Sequence, residues 1–243
     1  MNLYSKAPVL GIIGGMGPYT DGKFISLLRQ HTKAENDQGH IPLLLDSNCA
    51  CPDRTDFLCK NGESPLPSML VSLQRLQECG ASVIATPCNT AHFFISELKR
   101  SAKSSVTVID MADEVCKACM ARGFRSVTVL ATLGTHRAGI YSSKLRAYGI
   151  SEAKQSQAEL ARSQNKIELI KSGKSRSIHS TIEKALRVSD GVIIGCTELS
   201  VSVINDSSLR SERLAGRILD SMSILASTCI KLCDKPLIPM YFT

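Results

Sequence analysis

Short apolar runs alternate with longer stretches of helical periodicity along most of this chain. The runs at 9–13, 42–46, 82–86, 106–109, 126–131, 191–194 and 236–240 are brief, and most are apolar and rich in β-branched residues. Such runs predict strands buried on both faces. The stretch 65–79 carries Leu66, Met69, Leu70, Leu73 and Leu76 at helical spacing, and Gly80 follows it. That pattern predicts a helix with a glycine stop. Similar stripes predict helices over 21–32, 112–122, 139–148, 166–171 with Gly173 as its stop, 179–188 and 211–233. Strands that alternate with helices form βαβ units, so the expected class is α/β with parallel sheets flanked by helices.

The order of signals repeats. Each half opens with a strand and a turn of small residues, Gly14-Gly15-Met16-Gly17 in the first and Thr132 to Thr135 in the second. Each half later ends a strand in a cysteine. The first string is Pro87-Cys88-Asn89-Thr90-Ala91-His92 and the second is Gly195-Cys196-Thr197-Glu198-Leu199. Two pseudo-symmetric domains are expected, 1–112 and 113–211, with 212–243 packing back on the first. Ligands of open α/β sheets bind beyond the carboxyl ends of the strands. Facing domains therefore put both cysteines in one cleft, the expected active site.

Composition narrows the function. Of the 243 residues 43% are hydrophobic, and only 5% are aromatic with no Trp. Few aromatics and scattered Lys and Arg argue against nucleic acid as a partner. The net charge of +7 suits an acidic small substrate. No apolar run reaches membrane-spanning length, and the run at 8–13 is too short for a signal-peptide core. A cytoplasmic location, with no membrane partner, is expected. The ten cysteines are then expected to be reduced. Cys79, Cys116, Cys119, Cys229 and Cys233 sit in helical patterns and read as small buried hydrophobes. Cys116-x-x-Cys119 has no second pair at zinc spacing, so no metal is expected. Gly14 to Gly17 lacks the dinucleotide spacing and a Walker lysine, and reads as a tight turn that brings backbone close to a ligand.

Two thiols in matched places suit one chemistry in particular. Inverting a carbon next to a carboxylate needs a base on one face and an acid on the other. The groups exchange roles when the reaction runs backward. A thiol with a pKa near 8.5 can serve both roles near neutral pH. His92 reads either as a proton relay or as packing beside Phe93 and Phe94.

Five strings carry a resemblance: 14–18, Pro52-Asp53-Arg54-Thr55, 87–92, 170–173 and 195–199. In content and order they resemble the aspartate/glutamate racemase family across most of the chain. The resemblance implies Cys88 and Cys196 as the two bases, no cofactor, an amino-acid substrate and a homodimer. It implies that Arg54 meets the substrate's side-chain carboxylate and that Lys171 is a second cationic contact. Asn89, Thr90 and Thr197 would hold the α-carboxylate, and Glu198 would polarise Cys196 or bind the ammonium group. Met16 as a pocket wall, Gly17, Asn48 and Thr55 complete the expected contacts. Aspartate is the expected substrate, with glutamate, a broader amino-acid set, a hydantoin or another dicarboxylate as alternatives. A non-catalytic sensor or redox-sensitive binding protein is the alternative of another class, motivated by Cys49 and Cys51.

Overall fold

The computed structural model describes residues 7–172 and 177–243, and only the backbone of 212 and 213. The Gly173 helix stop lies outside the described residues. The first half contains β1 (Leu10–Gly14), α1 (Pro18–His31), β2 (Leu43–Ser47), α2 (Arg54–Lys60), α3 (Leu66–Glu78), β3 (Val83–Ala85), α4 (Ile95–Ser101) and β4 (Thr107–Val108). Then follow α5 (Met111–Ala121), β5 (Ser126–Ala131), α6 (Leu133–Arg137), α7 (Ile140–Ala147), β6 (Ser151–Glu152), α8 (Gln157–Lys171) and α9 (His179–Ala185). The chain ends with β7 (Gly191–Gly195), α10 (Thr197–Asn205), α11 (Glu212–Ala215), β8 (Ile218–Asp220) and α12 (Ser221–Leu232).

The described residues form two four-stranded sheets, in the orders β2-β1-β3-β4 and β6-β5-β7-β8. Every pairing is parallel. The two orders are the same order, so β3 and β7 occupy equivalent places. The inner strands β1, β3, β5 and β7 are covered on both faces, which explains why they are mostly apolar, whereas the edge strands β2 and β6 carry polar residues. Leu10, Ile12 and Val83 pack under α1 and α12, while Ile13 and Ile84 pack under α3 and α4. Val127, Val129 and Ile193 meet α5 and α7, while Val192 and Ile194 meet α8, α9 and α10. No helix among the described residues is long and apolar enough to cross a membrane.

Helices α2, α4, α6 and α10 and strand β6 lie outside the predicted runs, and three further departures have a clear local cause. The run 236–240 is not a strand. It makes one antiparallel bridge, Thr32 to Leu237, with Lys33 N–H bonded to the Pro236 carbonyl. Pro236 and Pro239 have no N–H to give a ladder. Residues 218–220 lie in a stretch read as helix and instead form β8, beside β7. Asp220 then caps α12 by accepting from the Ser223 N–H at 2.8 Å. Helix α8 starts at Gln157, nine residues before the apolar stripe, because Ser156 and Glu159 form a reciprocal capping box.

One turn places the first strand's end at the cleft. Gly15 has φ of +80°, and a Cβ there would lie 2.3 Å from the Asn48 backbone. Only glycine combines that conformation with that approach. Buried Asp21 ties the same loops together, accepting from the Gly15 N–H at 2.7 Å and the Ser47 hydroxyl at 3.0 Å. Burial raises its pKa, against the opposing pull of those two donors.

Candidate active site

The carboxyl ends of β1, β3, β5 and β7 converge on one cleft of about 340 Å³, its open mouth included. Met16, Arg54, Thr55, Cys88, Asn89, Thr90, Lys171, Cys196, Thr197 and Glu198 line it, together with Asp53, Thr132 and Gly195. Ten residues expected from sequence thus share one cavity. Asn48 and Gly17 are not among the lining. The Asn48 side chain accepts from the Ala50 N–H at 3.1 Å within its own turn. Gly17 is the N-cap of α1, and a Cβ there would lie 3.5 Å from a Glu198 carboxylate oxygen.

Asp53, missed from sequence, explains the string around it. Its carboxylate accepts the N–H groups of Thr55 and Asp56 at 2.8 and 2.9 Å and starts α2. Such a cap is worth about 1 kcal/mol, and it sets Arg54 and Thr55 in the first turn, at the cleft. Burial opposes the Asp53 charge, but those amides and the Arg54 cation outweigh it and hold the carboxyl below its ordinary range. Thr132 sits at the end of β5, where the first half has its glycine turn. It caps α6, accepting from the Thr135 N–H at 3.1 Å. The repeat was its only signal.

The two thiols have unlike neighbours. Cys196 caps α10 without a side-chain capping bond, and its thiol donates to Glu198 Oε2 at 3.0 Å. Complete burial and then the Glu198 charge push the Cys196 thiol far above its ordinary value. Lys171 Nζ stands 3.6 Å from Glu198 Oε1. Burial opposes the Lys171 charge, but Glu198, Cys196, Cys88 and Asp53 together hold its pKa above the ordinary lysine value. Cys88, 7% exposed, faces Arg54 instead. The guanidinium donates to the carbonyls of Met16 at 3.0 Å and Pro52 at 3.1 Å, and its buried Nε has no partner. Burial opposes the Arg54 charge as well, but Cys88, Asp53 and Cys51 outweigh it and raise its pKa.

Polar bonds between the halves cross at the same place. The hydroxyls of Thr90, Thr132 and Thr135 form a triangle with 3.0 Å sides. Three hydroxyls have three hydrogens, so the ring consumes the Thr90 donor. Asn89 gives one amide hydrogen to Ser221 at 3.0 Å, while its carbonyl takes the Tyr141 hydroxyl at 2.5 Å. One amide hydrogen of Asn89 remains for a ligand. Gly134 lets α6 approach α2 closely: a Cβ there would lie 3.0 Å from the Thr55 hydroxyl.

The remaining sequence candidates find other places. His92 is buried, with Nδ1 2.9 Å from the Cys88 carbonyl. Cys49 is exposed, and Cys51 is buried with its thiol toward the Pro65 carbonyl. Cys116 and Cys119 are buried in α5, and burial pushes both thiols up to about 12. They pack against Val127 and Leu145 as small hydrophobes. Among the described residues no three His, Cys, Asp or Glu side chains group as a metal site.

Known proteins resemble this chain in sequence and in fold. The sequence profile of the Asp/Glu/Hydantoin racemase family matches residues 13–229. The broad specificity amino-acid racemase RacX of Bacillus subtilis (strain 168) is 27% identical over 145 residues, which are 58% of this chain and 62% of RacX. The aspartate racemase of Picrophilus torridus superposes with a TM-score of 0.80 at 30% identity, covering 96% of this chain and 97% of that one. An aspartate racemase homologue from Pyrococcus horikoshii OT3 shares the fold, with a TM-score of 0.72 at 24% identity over 93% and 98% of the two chains. With nearly its whole length matched by the family profile and its two sheets superposing on those structures, the chain belongs to the Asp/Glu/hydantoin racemase family.

Proposed function

We propose that this chain interconverts the enantiomers of an acidic amino acid, aspartate foremost, by proton transfer between two thiols. The observation that carries the reading is the cleft itself, lined by two cysteines from equivalent strand ends and by the cations Arg54 and Lys171. One thiolate takes the Cα proton and becomes a thiol. The electron pair left on Cα spreads into the α-carboxylate. The other thiol then gives its proton to the opposite face and becomes the thiolate. Donors held around the carboxylate stabilise the charge as it builds.

The unlike neighbours of the thiols suggest a division of labour. In the ligand-free enzyme Cys196, hydrogen-bonded to Glu198, is held as the acid, which leaves the base role to Cys88. Two cations in one small cleft favour a dicarboxylate, which carries two anions to meet them. RacX, described as of broad specificity, makes a wider amino-acid set the second reading. The test is incubation of reduced protein with L-aspartate, then with glutamate and alanine, in deuterated buffer without added cofactor. D-Aspartate bearing deuterium at Cα is the expected product. A folded sample yielding neither D-aspartate nor deuterium would refute the proposal.

Glu198 supplies a second check. Its charge disfavours the Cys196 thiolate, so Glu198→Gln lowers the Cys196 pKa. Cys196 then loses its proton at lower pH. The alkaline limb of the kcat/KM profile is expected to move toward lower pH in both reaction directions. A limb that stays in place, or moves upward, would remove Cys196 from the acid role.

A further inference from the structure

We propose that His92 is a positioning residue for the Cys88 loop, holding the Cys88 carbonyl and thereby fixing the peptide between the thiol and the Asn89 N–H. The proposal rests on the two-thiol reading above. His92 is 4% exposed, with Nδ1 2.9 Å from the Cys88 oxygen. A carbonyl only accepts, so Nδ1 carries the hydrogen. Nε2 is buried with no partner, so it holds the lone pair. Shifting the proton to Nε2 would strand a buried N–H and turn a lone pair on the carbonyl. Such a loss disfavours the other tautomer by roughly 5- to 150-fold. The tautomer is therefore fixed. Burial lowers the His92 pKa, against the pull of Asp110, and so keeps the ring neutral.

The loop needs such a hold. Cys88 lies between the end of β3 and a 3₁₀ turn over Thr90–Phe94. Its N–H bonds to the Thr86 carbonyl at 2.8 Å, but its own carbonyl takes no bond from the loop's backbone. His92 supplies the missing partner. A peptide is planar, with C=O and N–H pointing opposite ways. Holding the Cys88 oxygen toward the interior turns the Asn89 N–H to the other side. The same bond limits rotation about the Cys88 Cα–C bond, and with it the direction of the thiol. Sequence placed His92 between packing and proton relay. The geometry gives it a third role, since its proton stays on Nδ1 and its other nitrogen has no hydrogen-bond partner among the described residues.

Three substitutions separate this role from packing. Asn at this position places an amide N–H where Nδ1 stood, Gln places it near Nε2, and Leu keeps bulk with no donor. His92→Leu and His92→Gln are expected to lose about 100-fold in kcat, the scale of a reacting group displaced by about 1 Å, with KM changed less. His92→Asn is expected to recover most of that loss. Cys88 alkylation by iodoacetamide, followed by mass spectrometry, reads the loop without turnover. Losing one neutral hydrogen bond frees it by up to about tenfold, so Cys88 reacts faster in the Leu and Gln variants than in Asn or wild type. If Leu fails to fold, the Asn and Gln pair decides. Leu or Gln matching Asn in both kcat and alkylation would overturn the proposal. Failure of the two-thiol reading would show separately, as absent turnover in wild type, and the alkylation order would still test the positioning.

Discussion

Replacing either Cys88 or Cys196 by alanine is expected to lower racemisation about 10²- to 10⁴-fold, the usual worth of a positioned acid or base. Both side chains are small and sit at strand ends, so the fold should survive, and circular dichroism would check it. The stronger prediction concerns exchange. Each single variant keeps one thiol on one face of the substrate. That thiol can remove and return a proton without inverting the carbon. Residual deuterium uptake should therefore be confined to one enantiomer, and the favoured enantiomer should swap between the two variants. Uptake into both enantiomers by one variant would show that a single group reaches both faces.

Arg54→Leu is the second large effect. Two of the five guanidinium hydrogens are spent on the Met16 and Pro52 carbonyls. The rest remain for Cys88 and for an incoming carboxylate. A charge-assisted bond of this kind contributes about 1.5–3 kcal/mol, so kcat/KM for aspartate should fall roughly 10- to 150-fold. The loss should be larger for aspartate than for alanine, because only aspartate presents a second carboxylate. Arg54→Lys should not restore it, since an ammonium cannot form the planar fork. Equal losses for the two substrates would leave Arg54 serving Cys88 alone and remove the case for a dicarboxylate.

The parts legible in the sequence were those with a local cause. Strands such as β5 and β7 are buried on both faces, so their composition announced them. The Asp53 cap lay in plain view within its string, although its place in the cleft did not. The elements that escaped had weak or borrowed signals. Ile218 and Leu219 continue the spacing of the helix that follows, which hid β8. Helix α8 buries only Ser163 and Ile167 along its whole length, so no apolar stripe marked its first half. One site feature depends on long-range placement: Arg54 meets Cys88 through the approach of two loops, which residue order does not write. The Glu198 contact with Cys196 is local, two residues along the chain, and was among the expectations from the Gly195–Leu199 string.

The unlike surroundings of the two thiols carry a thermodynamic constraint. Mirror-image amino acids have equal free energies in water, so the equilibrium constant between them is one. The ratio of kcat to KM must then be identical for the two enantiomers at every pH, whatever stands beside each sulfur. Glu198 and Arg54 therefore cannot favour one product. On the two-thiol proposal, Glu198 instead sets which protonation form the enzyme rests in between turnovers, and so which mirror image is taken up at once and which waits for the protons to redistribute. A fold with two matching halves thus carries a bias in timing, visible only as kcat and KM that differ between hands while their quotient does not.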